Sequence, residues 1–362
     1  PVPAEHVSGL SPRVSVVMVF LNARRFIVEA IESVKLQSFS DWELVLVDDG
    51  SDDGSHELAA EFSASDPARV RVVQHPDRGN HGTGASRNLG LSHCRGEYVA
   101  FLDADDVYLP PRLKTHVELL DRHPDVALLQ GCVQRWHSWS EDSARKQEDR
   151  DEPAPPVPLE RAIDPPQLLV LMLRSQGHMV PAICSLTLRI DDVRRLGGFE
   201  SSFRHAYEDQ VLLAKLYMDC RTLVVEEVLA RYRQHPESLV HRLEREGTYV
   251  PGWPNPAHQA FVEWLQQYVD AHSNVSNELR DALHKELQPY VNPWAWRIRH
   301  LPALSTRLAR RLAQRVLPAA LLAPVLDWRR RQKEDAAGQR ALREGRRLGI
   351  AASRQSESEG RT

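Results

Sequence analysis

Between residues 13 and 133 apolar residues come in short unbroken runs, separated by polar stretches of a different period. VSVVMVF (14–20), ELVLVDDGS (43–51), VRVVQ (70–74), EYVAFLDADD (97–106) and DVALLQGCV (125–133) each hold such a run, the pattern of a strand covered on both faces. Between the runs apolar positions recur at helical spacing. Phe26, Ala30, Ile31 and Val34 share one face of a helix predicted over 24–37. Further helices are predicted over 56–64, capped by Asp53 or Ser55; from Gly84 to Cys94; and from Pro110 and Pro111, which open it, to Arg122. This alternation predicts a mostly parallel sheet with helices on both faces. Ligands of such sheets bind beyond the carboxyl ends of the strands. Asp48, Asp49, Asp103 and Asp105 all fall at such ends.

The rhythm breaks over 137–167, where an acidic, proline-rich stretch has little to bury, and a mobile loop or insertion is expected. Beyond it the pattern predicts a helix near 167–175, a strand near 183–188, a helix around 208–219 and short strands over 223–233. Two helices are predicted over 257–290, with Phe261, Trp264, Leu265 and Tyr268 as a core stripe. No internal repeat stands out.

Length and composition narrow the class. At roughly 100–200 residues per domain, the 362 residues suggest two domains, or one domain with an appendage. A hydrophobic fraction of 42% with 27% charged residues excludes wholesale disorder and fibrous protein. No apolar run reaches the roughly 18 residues of a membrane span, and Val316 to Leu326 holds two prolines. The first residues show neither a basic start nor an apolar core, so no secretory signal is expected there. Cys94, Cys132, Cys184 and Cys220 lie far apart without a CxxC, which argues against a zinc or disulfide framework and fits a reduced cytosol. The net charge of -4 hides an asymmetry. Residues 292–362 carry 16 Lys+Arg against 6 Asp+Glu, net +10; the remaining 30 and 44 leave -14 on residues 1–291. The body is a poor surface for nucleic acid, and the tail is basic.

The candidate chemistry starts with DADD. On a strand, residues i and i+2 point the same way, so Asp103 and Asp105 are expected to present two carboxylates to one point. Such a pair suits a hard divalent cation that also holds phosphate oxygens. Acids are also common in solvated turns. Position adds weight: these acids follow a buried strand, with VDDGS at another strand end.

VSVVMVFLN, VLVDDGSDDGS, GASRNLGL with CRGEYVAFLDADD, GGFE with EDQVLLAKL, and YRQHPES occur in that order. With them, residues 13–240 resemble the family 2 glycosyltransferases of GT-A fold, α/β proteins with a Rossmann-like, mostly parallel sheet flanked by helices. The resemblance implies transfer of one sugar from a nucleotide diphosphate sugar, a UDP-sugar, with inversion at the anomeric carbon. It implies Mn²⁺ or Mg²⁺ held by Asp105 and Asp103 and completed by His235; Asp209 as catalytic base; Asp49, with Asp48 beside it, at the base; and Arg87, which with Asn88 matches the family's ARN segment, near the nucleotide or the DxD strand. The bland rivals carry less weight: Asp209 as a first-turn helix acid, His235 as a turn histidine and Asp49 as a helix cap. Leu21 stands where the family often has an aromatic that packs on the base. Q-x-x-R-W of processive synthases is absent, so a single-sugar transferase is expected.

The domain reading is an arm (1–12), a GT-A domain (13–245), a helical C-terminal extension (246–335) and a basic, disordered tail (336–362). TGASRNLG (83–90) imitates a dehydrogenase loop, but Asn88 replaces a glycine and no YxxxK exists. P-loop, HExxH and GxSxG motifs are absent. The alternative function is a non-catalytic nucleotide-sugar-binding or assembly protein of the same fold. The implied acceptor is a glycan or lipid-linked molecule of the cell envelope. Residues 303–331 combine arginines, leucines and Trp328, and are read either as a membrane-interface segment or as helices packed on the domain. The protein is placed in the cytoplasm, or peripherally at the inner face of the plasma membrane.

Overall fold

All five buried runs are strands in the computed structural model, which describes residues 11–140, 148–175, 179–204, 206–246 and 254–299. β1 (Val14–Phe20), β2 (Trp42–Asp48), β3 (Val70–Gln74) and β4 (Tyr98–Asp103) pair in parallel in the order β3-β2-β1-β4. α1 (Ile27–Lys35), α2 (Ser55–Ser65) and α3 (Thr83–His93) form their crossovers. Val14, Val16, Met18, Leu44, Leu46, Ala100 and Leu102 lose nearly all contact with water, as doubly covered strands require. α3 lies so close to the sheet that a Cβ on Gly90 would stand 2.5 Å from Val17 Cγ1.

The second half of the sheet is mixed. β5 (Val107–Tyr108), α4 (Arg112–Arg122) and β6 (Val126–Trp136) follow β4. The expected 137–167 excursion is partly built into the sheet: β7 (Arg150–Asp151) pairs with β6 and β8 (Ala162–Ile163) with β10 (Arg221–Arg233). Arg135 Nε donates to Glu152 at 2.5 Å and Gln134 Nε2 to Asp151 at 3.0 Å, so an ion pair and an amide–carboxylate bond hold a segment with little to bury. The strand expected at 183–188 starts as a 3-10 turn, Ile183–Ser185, before β9 (Leu186–Arg189) enters antiparallel between β4 and β6. The buried Arg112 fixes this turn, donating to the carbonyls of Cys184 (3.1 Å) and Leu186 (2.7 Å). The expected short strands of 223–233 are one strand with register shifts against β6.

The chain forms two compact units. One holds residues up to 154, 159–165 and 181–245, with the sheet, α6 (Ile190–Arg195), α7 (Glu208–Asp219) and nearly all of α8 (Leu239–Glu246). The other holds residues 155–158, 166–180 and those from 246 onward, with α5 (Gln167–Arg174), α9 (Pro256–Asp270), α10 (Asn277–Val291) and α11 (Pro293–Arg299). In the second unit Asn255 caps α9 by accepting from the His258 N–H. His258 then joins the Tyr290 hydroxyl (2.7 Å) and Glu286 (3.2 Å) of α10. The predicted aromatic stripe splits: Phe261 and Leu265 are buried, whereas Trp264 and Tyr268 stack half-exposed at 5.2 Å. Segments 303–331 and 336–362 lie outside the described residues.

Candidate active site

The predicted acids meet at the carboxyl ends of β2 and β4, but with different jobs. Asp48 turns inward. It accepts from the Ser51 N–H (2.8 Å) and from Gln74 Nε2 (2.7 Å), and pairs with His56 Nδ1 (3.0 Å). Asp49 is 3% exposed. Its Oδ1 accepts from the His81 N–H and the Ser86 hydroxyl, both at 2.8 Å, and its Oδ2 from the Gly82 N–H at 3.1 Å. Asp49 therefore ties the strand end to the first turn of α3. Gly50 adopts φ +92°, and a Cβ there would stand 3.0 Å from Asn80 N; the tight passage suits a residue without a side chain. Beside it His75 and His81 stack at 4.0 Å, and Leu21 is 38% exposed.

β4 ends at Asp103, so a turn rather than the strand pleat directs Asp105. The Asp106 N–H closes that turn on the Asp103 carbonyl at 3.0 Å. Asp103 Oδ1 accepts from Arg87 Nη2 at 2.8 Å, and Arg87 Nη1 donates to Glu208 at 3.1 Å. Arg87 is 4% exposed and lies 5.4 Å from the Phe199 ring. One buried guanidinium thus joins the strand end to the first turn of α7. Asn88, next on α3, clamps the backbone of Phe199: its Nδ2 donates to the carbonyl (2.7 Å) and its Oδ1 accepts from the N–H (2.9 Å). Lys215, buried on α7, donates to the carbonyls of Leu196 and Gly198 and pairs with Glu200, fixing the same turn from below. Tyr207, before α7, takes a left-handed φ of 70°, a costly conformation that the surrounding contacts must hold.

Burial pushes the Glu208 carboxyl up to about 7, aided by the Asp209 charge and opposed by Arg87. Burial also raises Asp209, against the pull of Arg87 and its Gln210 N–H bond at 2.7 Å, with the Asp103 charge adding to the rise. Asp103 is raised by burial against Arg87, with Asp105 adding to the rise. The acids thus share one field in which negative charge is in excess.

His235 reaches this cluster from the end of β10. Its Nε2 lies 2.9 Å from Asp105 Oδ2, its ring leans on Phe26 at 4.6 Å, and its Nδ1 is buried without a partner among the described residues. Arg233, two residues earlier, is a residue that sequence reasoning missed. Its N–H donates to Asp106 Oδ1 (2.9 Å), its Nε to the Asp105 carbonyl (2.6 Å) and its Nη2 to Glu29 (2.6 Å). The guanidinium lies over Trp136 at 4.3 Å, between Phe26 and Trp139. Glu208 and Asp106 were missed as well. Their signals were faint: a second acid beside Asp209 in EDQ, and a third in DADD.

Residues 15–189 match the family model described as Glycosyl transferase family 2. The match spans just under half of the chain and makes that segment similar to the family 2 glycosyltransferases. Among named relatives, EpsE of Bacillus subtilis, a glycosyltransferase by name, is 40% identical over 112 residues, 31% of this chain and 40% of that protein. TuaG of Bacillus subtilis, named for teichuronic acid biosynthesis, is 37% identical over 114 residues, 32% of this chain and 44% of that protein. The chain thus spans less than half the length of these relatives. S. aureus TarS 1-349 in complex with UDP-GlcNAc superposes with a TM-score of 0.56 at 19% identity, covering 93% of this chain and 92% of that one. Mannosyltransferase PcManGT from Pyrobaculum calidifontis, in complex with GDP-Man and Mn²⁺, gives 0.54 at 19%, covering 92% and 87%. These structural likenesses are likenesses of fold, a mixed α/β GT-A architecture.

At this site the donor set for a cation consists of hard oxygens. No group of three metal-ligating side chains is assembled among the described residues. The side chains of Asp103 and Asp105 are 33% and 28% exposed, and each has one oxygen bonded by protein, to Arg87 and His235 respectively. The second oxygen of each has no protein partner among the described residues. Two open carboxylate oxygens beside excess negative charge fit a divalent cation such as Mg²⁺ or Mn²⁺.

Proposed function

We propose that the protein is an inverting, metal-dependent transferase. It moves one sugar from a nucleotide diphosphate sugar, a UDP-sugar, to a hydroxyl of a glycan or lipid-linked acceptor in cell-envelope polysaccharide synthesis. The observation that carries this reading is Arg87, which holds Asp103 and the base-bearing turn of α7 to one guanidinium. Asp209 Oδ1 accepts from the Gln210 N–H, and in this reading Oδ2 is the oxygen that takes the acceptor proton. The raised affinity of Asp209 for a proton suits a general base, and one such base suffices for direct displacement with inversion. A divalent cation on Asp103 and Asp105, with His235, would neutralise the charge that develops on the departing diphosphate. Asp49 shapes the nucleotide side by fixing the 81–86 turn, and Asp48 braces the strand end beneath it. The name of TuaG, which gives teichuronic acid biosynthesis, supports an envelope glycan as product class.

The test is release of nucleoside diphosphate from a panel of nucleotide sugars, with Mn²⁺ and with EDTA. Release that requires the metal supports the reading; undiminished release in chelator overturns its metal-dependent part.

The acceptor side extends the proposal to a peripheral membrane site. No described helix is long and apolar enough to cross a membrane. The seven arginines of 303–331 that flank its apolar middle, Arg307 to Arg331, suit anionic headgroups, each contributing about 1 kcal/mol near such a surface. Full-length protein should co-sediment with anionic but not neutral liposomes at low salt, and a truncation near residue 300 should not. Full-length protein that ignores anionic liposomes would leave the tail a structural element.

A further inference from the structure

Glu208 touches neither Asp103 nor Asp105 by hydrogen bond, yet shares Arg87 with Asp103. The two bonds, 3.1 Å from Nη1 and 2.8 Å from Nη2, use opposite arms of one guanidinium. The guanidinium is 4% exposed, so water does little to screen it. Its single charge is therefore divided between an acid at the strand end and an acid at the helix start. A guanidinium can span two carboxylates in this way; an ammonium, a single point charge, cannot do so with the same geometry.

From this sharing we propose that Glu208 is a positioning residue: by drawing part of the Arg87 charge away from Asp103, it keeps Asp103 available to a divalent cation. The inference rests on the functional reading above. If Glu208 loses its charge, Arg87 commits to Asp103 and competes with the incoming cation. If Glu208 and Asp103 were independent, neutralising Glu208 would act only through space and equally in any background.

Mn²⁺ alone, titrated calorimetrically into the full chain at pH 8, is the direct probe. Glu208→Gln should weaken Mn²⁺ binding about tenfold, the scale of one charge felt at close range through protein. In an Arg87→Lys background the same substitution should cost much less, because the fork that couples the two acids is gone. Glu208→Asp, which keeps the charge, should recover part of the affinity. Melting temperatures of all variants, read in parallel, keep binding separate from folding. Mn²⁺ affinity of Glu208→Gln matching that of wild type, or an equal loss in both backgrounds, overturns the coupling and leaves the proposed function standing. A folded wild type that binds no Mn²⁺ overturns both the coupling and the metal-dependent reading.

Discussion

Replacing Asp49 with Ala separates a nucleotide contact from an architectural one. As placed, the carboxylate accepts three hydrogen bonds from the segment that starts α3: two from backbone N–H groups and one from the Ser86 hydroxyl. Alanine leaves all three donors without this acceptor. Ser86 keeps a second partner, since His75 Nε2 lies 2.8 Å from its hydroxyl. The Gly82 N–H bond is buried and the His81 N–H bond partly so. A buried donor stripped of its partner costs roughly 1–3 kcal/mol. With one such donor and one half-shielded donor, the expected loss is about 3 kcal/mol of unfolding free energy. Equilibrium urea denaturation, followed by far-UV circular dichroism, reads this as a lower midpoint at unchanged slope. Asn should recover part of the loss, because it keeps one acceptor oxygen but sets an NH₂ group against a donor. A stability change below about 1 kcal/mol would refute the reasoning, since three bonds so placed cannot vanish at so small a cost.

A pH series follows from Glu208. Its folded form holds a proton up to about 7, above the ordinary 4.5, so the stability it contributes is complete below the unfolded value and is lost as pH rises through about 7. The melting temperature should fall across that window, and Glu208→Gln should flatten the fall; parallel curves would contradict the assignment. Gly90→Ala puts a Cβ 2.5 Å from Val17 Cγ1 and 3.1 Å from Val47 Cγ2, and should cost roughly 1–3 kcal/mol by overpacking, again read in urea.

The strands were legible in the sequence because a doubly covered strand needs an unbroken apolar run. β3 matches its predicted limits residue for residue, and α7 likewise. The short α6 and α11 were not legible, since six or seven residues cannot display a helical period. β5, two residues long, takes its identity from pairing with β10. In the site, the DADD and EDQ acids were visible as residue types. The resemblance put His235 with Asp105, 130 positions away, but nothing in the sequence joined Arg87 to Glu208 across 121 positions. Their pairing depends on how the sheet closes. The enclosure of Asp49 by the 81–86 turn was hidden for the same reason, because a strand-end acid looks alike whether it faces solvent or a neighbouring helix.

Turnover of the Asp209→Asn protein tests the central claim most directly. Asparagine keeps the size and the Oδ1 acceptor that holds the Gln210 N–H but cannot take a proton. With saturating nucleotide sugar and Mn²⁺, diphosphate release should fall at least about a hundredfold, the scale of a lost general base, while the affinity for UDP stays nearly unchanged. Release within a few-fold of wild type would show that Asp209 is not the base, and a loss confined to UDP affinity would assign it to binding instead.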